Sequence, residues 1–264
     1  MQEFLERTFP IFGEEGLAAL SNQLVAIAGL GGVGGGTFLN LVRCGVKRFR
    51  LAENGIFDPP DMNRQAAAFA STMGIPKIKV YEKLALEINP EVKLELFPEG
   101  MTAGNTERYL EGSDVHIGVI DVEKGADVKA MTPELLKKYN VPMFTAGVFG
   151  FGAALIAHHP QGMMPDEFWG LMAKRSKSDF LVPAFLTDRF NKTIMKRISS
   201  FHNTKGKVAT TCIGGALSGA LLASEVLAYL LRDTSIVDRE IVFAPRFVTV
   251  DLLKLSMEVV DVTE

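Results

Sequence analysis

The chain has 264 residues, enough for one large α/β domain, and 47% of them are hydrophobic, which excludes a disordered polypeptide. A formal net charge of −3 argues against a wholesale nucleic-acid binder. Cys44 and Cys212 are the only cysteines, too few for a four-cysteine zinc site. The start MQEFLERTFP mixes both signs of charge and lacks an apolar signal core, so a reducing cytoplasm is expected.

Taken in order, QLVAIAGL (23–30) is a continuous apolar run, the mark of a strand buried on both faces. VGGGTFLNLVRCGV follows as a helix, with Phe38, Leu39, Val42 and Val46 at helical spacing. RFRLAE (48–53) is a second strand. Pro76 suits a first helical turn, so the next helix runs through KIKVYEKLALEI and stops before Asn89-Pro90. VKLELFP and VHIGVID (115–121) are the third and fourth strands, and PMFTAGVFGFGAALIAHH holds two more runs joined at glycines. This rhythm predicts a Rossmann-like α/β fold over residues 1–160: a mostly parallel twisted sheet with helices on both faces and antiparallel additions.

Beyond residue 160 the alternation stops. MPDEFWGLMAKR and LTDRFNKTIMKRISSF read as amphipathic helices, and EIVFAPRFVTVDLL and LSMEVVDV as strands. CIGGALSGALLASEVLAYLL (212–231) has the length of a membrane span, but Glu225 lies inside it and small residues crowd its first half; it reads as a buried core helix. Residues 161–264 are therefore expected to be an extension packed on residues 1–160 as one continuous unit.

AGLGGVGGG carries G-x-G-x-x-G at Gly29, Gly31 and Gly34, with Gly32 beside them, between a strand and a helix. Such glycines permit a tight turn, backbone approach to a phosphate and close helix–strand packing, and the helix start attracts anions. Glu53, about twenty residues on, is placed to accept hydrogen bonds from ribose hydroxyls. A dinucleotide brings two phosphate charges, which a helix N-terminus largely accommodates. A triphosphate brings about four and develops more on the leaving pyrophosphate, so its site needs added cations. Arg64 and Lys77 lie in suitable segments past the acid.

GLGGVG, the acid, MNRQ, GIPK, INP and VHIGVID ending in Asp121, in that order, closely resemble the ThiF/MoeB/HesA superfamily of adenylyltransferases related to ubiquitin-activating enzymes. FGEEGLAAL resembles the family's lead-in helix and NLVRCGV the continuation of its glycine loop; the likeness covers roughly residues 7–160. The resemblance implies an ATP site and transfer of AMP to a carboxylate with release of pyrophosphate. It places Glu53 at the ribose, Arg64, Gln65 and Lys77 at the phosphates, Asp121 on magnesium, and Asp61 where the family usually has Asn. It further implies a homodimer in which an N-terminal Arg, here Arg7, reaches the partner's phosphates.

Two departures matter. Gly55 stands where many relatives carry a second Asp, which removes one polar contact near the nucleotide. The family's paired C-x-x-C ligands are missing, so no zinc is expected. Cys44 and Cys212 read as inert core thiols, which favours simple carboxylate activation over sulfur transfer or conjugation. Residues 174–207 hold nine Lys or Arg against two acids, with Phe180, Phe185, Phe190 and Phe201 interleaved. That pattern fits a solvated helix face with core phenylalanines, or a surface for an acidic partner such as tRNA. The sequence leaves the carboxylate open as small-molecule, peptide or tRNA-borne. Two rival readings use the same glycine loop: an NAD- or FAD-dependent oxidoreductase, and a non-catalytic nucleotide-binding partner protein.

Overall fold

The computed structural model describes residues 3–120, 125–175, 182–205 and 208–264. One sheet organises them. β1 (Leu24–Ala28), β2 (Arg48–Ala52), β3 (Lys93–Phe97), β4 (Val115–Gly118) and β5 (Met143–Phe149) run parallel. β6 (Gly152–His158), β7 (Arg246–Asp251) and β8 (Ser256–Asp261) continue it antiparallel, giving eight strands in the order β3-β2-β1-β4-β5-β6-β7-β8. The chain reverses its direction of travel across the sheet between β3 and β4, which leaves a crevice at the carboxyl ends of β1 and β4. This is the α/β, Rossmann-like architecture expected from the run of alternating elements.

Strand periodicity divides the core. Val25 and Ile27 of β1 face one layer, together with Phe49, Leu51, Val115, Ile117 and Leu155. Over them lie α2 (Gly34–Arg43), α3 (Lys77–Ile88) and α9 (Cys212–Leu230), through Phe38, Leu41, Tyr81, Leu222 and Val226. Ala26 and Ala28 face the other side, against Tyr109 of α4 (Thr106–Leu110) and Leu136 of α5 (Ala126–Tyr139). The antiparallel half of that second face is covered by α6 (Pro165–Arg175), α7 (Ala184–Thr187) and α8 (Lys192–Lys205), through Phe168, Met172, Leu186 and Ile198, with Phe190 of the α7–α8 connection beside them. α1 (Phe9–Asn22) leads into β1.

α9 is the one helix among the described residues long and apolar enough to cross a membrane. Its small residues instead meet α2: a Cβ on Gly219 would stand 3.2 Å from the Val33 carbonyl oxygen. The Thr37 hydroxyl donates to the Gly219 carbonyl at 3.2 Å, and the Ser218 hydroxyl reaches the Gly147 carbonyl of β5 at the same distance. Glu225, 5% exposed, is paired with Arg239 (Nη1 to Oε1 3.1 Å, with a second contact from Nη2) and accepts from the Val242 amide at 3.2 Å. A buried carboxylate needs such partners.

Several expectations need correction. LTDRFNKTIMKRISSF is not one helix: it breaks between α7 and α8, where Asn191 Oδ1 accepts from the Thr193 and Ile194 amides and caps the second helix. EIVFAP lies outside β7, which begins at Arg246. Val46 follows the end of α2 rather than sitting on it. α5 adds a helix that the apolar runs did not signal, with Pro133 inside it.

Candidate functional site

β1 ends at Ala28 and hands over to the glycine loop. Gly29 takes φ +96°, open to glycine and strained for side chains, and a Cβ there would meet the Val119 carbonyl oxygen at 2.7 Å. Gly34 is tighter still: its Cβ would stand 1.9 Å from the Gly29 carbonyl oxygen. Gly31 is the opposite case, with nothing within 4 Å, so its surface is open. The first turn of α2 follows, where the Gly35 amide donates to the Gly31 carbonyl at 3.0 Å. Open space above Gly31, at the positive end of the helix dipole, fits a phosphate.

Gly35 was not among the expected residues. Its Cβ would overlap the Tyr81 hydroxyl at 1.9 Å, so the phenol fills the space directly under the loop. Burial pushes the Tyr81 hydroxyl well above its ordinary range and keeps it protonated. The run Gly34-Gly35-Gly36, with Gly35 at its centre, was the available signal.

Glu53 follows the end of β2. Its Oε2 accepts from the Leu30 amide at 2.7 Å and its Oε1 from the Gly55 amide at 2.6 Å. The carboxylate thus braces the glycine loop from the side, half-buried, with lone pairs left for a further donor. Gly55 has a local reason to lack a side chain: a Cβ would lie 2.9 Å from Glu53 Oε1 and 3.5 Å from the Lys77 methylenes.

The Asn-Arg-Gln segment closes the other side. PPDMN forms a short 3₁₀ turn, Pro59–Asn63, that carries Asp61 inward. Asp61, 5% exposed, takes Lys77 Nζ on Oδ2 at 2.9 Å and Arg64 Nη2 near Oδ1 at 3.5 Å. Gln65 Nε2 donates to Oδ1, and the Asp58 amide to Oδ2 at 3.3 Å. Gln65 is buried, and its Oε1 has no partner. Arg64 Nη1 donates to the Pro60 carbonyl at 3.0 Å and Asn63 Oδ1 at 2.9 Å. The Arg64 stem crosses the glycine loop, with Cγ 3.2 Å from a Cβ built on Gly32. On its other flank it meets the start of α9: a Cβ on Gly215 would lie 3.6 Å from Arg64 Cβ. Asn63 Nδ2 donates to the Thr210 carbonyl at 3.3 Å and ties the same turn to that helix.

The structure therefore gathers Gly29, Gly31, Gly32, Gly34, Glu53, Asp61, Arg64, Gln65 and Lys77 around one opening. Arg7 is not with them. It stands exposed before α1, and its neighbour Leu5 packs near Gly45, past the far end of α2 from the glycine loop. Asp121 lies outside the described residues, as does Phe180. Cys212 is corrected from core thiol to exposed residue, while Cys44 is partly buried and its thiol is pushed up by that burial. Phe190 is core and Phe201 is 41% exposed, so the interleaved phenylalanines do not share one role.

The family model described as the ThiF family matches residues 5–264. A tRNA threonylcarbamoyladenosine dehydratase of Bacillus subtilis is 36% identical over 110 residues, 41% of this chain and 43% of that protein. A sulfur carrier protein adenylyltransferase of Thermus thermophilus is 26% identical over 152 residues, 57% of this chain and 55% of its own. The chain spans about half the length of these curated relatives. Among solved structures, Escherichia coli MccB with ATP superposes with a TM-score of 0.72 at 16% identity, covering 99% of this chain and 72% of that one. The match along nearly its whole length makes this chain a member of the ThiF family.

Proposed function

We propose that this protein is an ATP-dependent adenylyltransferase, which activates a carboxylate as an acyl-adenylate and releases pyrophosphate. The observation that carries the reading is the pairing of Arg64 and Lys77 through Asp61 beside an open glycine loop. A redox dinucleotide brings two phosphate charges, which the helix start largely accommodates, whereas a triphosphate brings about four and can draw on both cations. Membership of the ThiF family and the likeness to an ATP-bound fold support it.

In this reading Glu53 holds the ribose and the start of α2 takes up phosphate oxygens. Arg64 and Lys77 hold the chain in line, so that a carboxylate oxygen attacks the α-phosphorus while the bond to the β-phosphate breaks. Gly31 leaves room for the phosphate there, and Gln65, through its unpartnered Oε1, can accept a further donor. No group of three His, Cys, Asp or Glu among the described residues could hold a metal by itself. Magnesium would sit mainly on phosphate oxygens, with Asp121 as its protein ligand, and would neutralise charge on the departing pyrophosphate.

The acceptor belongs to the class of small-molecule, peptide or tRNA-borne carboxylates. Solved MccB structures contain MccA, and the Bacillus relative is named for tRNA chemistry. Arg7 acts from a partner protomer in this account, since its own chain holds it away from the loop. The two unpaired thiols fit a reducing cytoplasm.

Exchange of labelled pyrophosphate into ATP, screened against a panel of carboxylates, tests the reading. Arg64→Ala should lower exchange by about 100-fold, the scale of one lost transition-state charge partner, without loss of fold. Wild-type exchange in that variant would remove Arg64 from the reaction.

A further inference from the structure

Asp61 is the least exposed charged group at the opening, and every contact it makes is to a donor. Lys77 Nζ lies at 2.9 Å, Arg64 Nη2 at 3.5 Å and the Asp58 amide at 3.3 Å, and Gln65 Nε2 completes the set. No acceptor capacity is left turned outward toward a nucleotide donor. A carboxylate 5% exposed is costly to bury unless paired, and here the pairing consumes the two cations that a phosphate chain would need. Formal charges sum to zero: Arg64 and Lys77 contribute +2, Asp61 and Glu53 contribute −2. The Arg64 guanidinium is also folded back onto its own turn through Pro60 and Asn63 rather than directed across Gly32.

From this geometry we infer that Asp61 is a positioning residue rather than a nucleotide ligand: it stands in for phosphate between Arg64 and Lys77 in the empty site, and weakens the grip on polyphosphate when the site fills. Without a shared anion the two cations would repel each other across the turn. With it, they are held in register at the cost of a fixed negative charge facing the phosphate chain. Pyrophosphate, the most highly charged product, then leaves more readily. The inference deepens the adenylyltransferase reading, on which its kinetic consequence rests. The electrostatic part concerns only the cation pair and an inorganic polyphosphate.

The test is equilibrium binding of inorganic tripolyphosphate at two salt concentrations, with ATP–pyrophosphate exchange measured separately. Asp61→Asn keeps the shape and removes the charge, and the Gln65 amide can turn its unpartnered Oε1 toward the new Nδ2. The variant should bind tripolyphosphate about 3- to 30-fold more tightly at low salt, with the gain shrinking as salt screens it. In exchange assays its KM for ATP should fall while kcat does not rise. Asp61→Ser, neutral and suited to a turn, carries the same expectation should the asparagine variant not fold. Unchanged or weaker tripolyphosphate binding overturns the inference. So does failure of both neutral variants to fold, which makes Asp61 a structural residue. Absence of exchange in the wild type would instead count against the adenylyltransferase reading and leave the tripolyphosphate comparison to decide the role of Asp61.

Discussion

At the scale of single residues, the glycine loop separates packing from binding. Gly34 has no room, since its Cβ would lie 1.9 Å from the Gly29 carbonyl and 2.7 Å from Val119 Cγ2. Gly34→Ala should therefore cost at least about 3 kcal/mol or prevent folding, read as a fall in the urea midpoint. Gly31→Ala meets nothing within 4 Å and should melt within a few degrees of wild type while losing ATP binding. Equal losses of stability in the two variants would contradict the cradle. The glycines, Glu53, Arg64, Gln65 and Lys77 were legible as a group because their order along the chain tracks the motif. The mutual arrangement was not: that Glu53 spends both oxygens on backbone amides, or that Asp61 joins two cations, depends on how a 3₁₀ turn folds back over the loop.

At the scale of elements, α9 shows how a stretch with the hydropathy of a membrane span becomes a core helix. Its glycines fit the backbone of α2, and Glu225 finds Arg239 beyond the helix end. Arg239→Ala leaves that buried carboxylate with only the Val242 amide and should destabilise by about 2–3 kcal/mol, discounted because Arg239 is half exposed. Glu225→Met, which removes the buried charge along with its partner's need, should cost less. Chemical denaturation of both variants decides it, and the reverse order would contradict the pairing argument. Long apolar runs were readable because burial on both faces leaves a plain pattern. α5 was missed because its face is mixed, with Val128, Thr132 and Leu136 buried among charges. The α7–α8 break was signalled only by Asn191, a cap that looks the same as any loop asparagine until its amide partners are seen.

At the scale of the whole molecule, two histidines are sealed into the core. Burial holds His116 and His158 down to about 4, and the His158 Nδ1–H donates to the Met163 carbonyl at 2.9 Å. An unfolded chain titrates its histidines near 6.5, so between about pH 6.5 and 4 the unfolded state takes up protons that the folded state refuses. Stability should fall as pH falls through that window, and His116→Gln should make the fall shallower. A urea midpoint that is flat across it would contradict the burial. The same sheet that seals these groups opens at its carboxyl edge, between β1 and β4, beside the glycine loop around which Glu53, Asp61, Arg64 and Lys77 are gathered. If this opening handles the charge of three phosphates, calorimetric titration of one protein sample with ATP, ADP, AMP and NAD should give affinity falling from ATP through ADP to AMP, with NAD binding more weakly than ATP. NAD binding more tightly than ATP, or ATP binding no better than AMP, would contradict it.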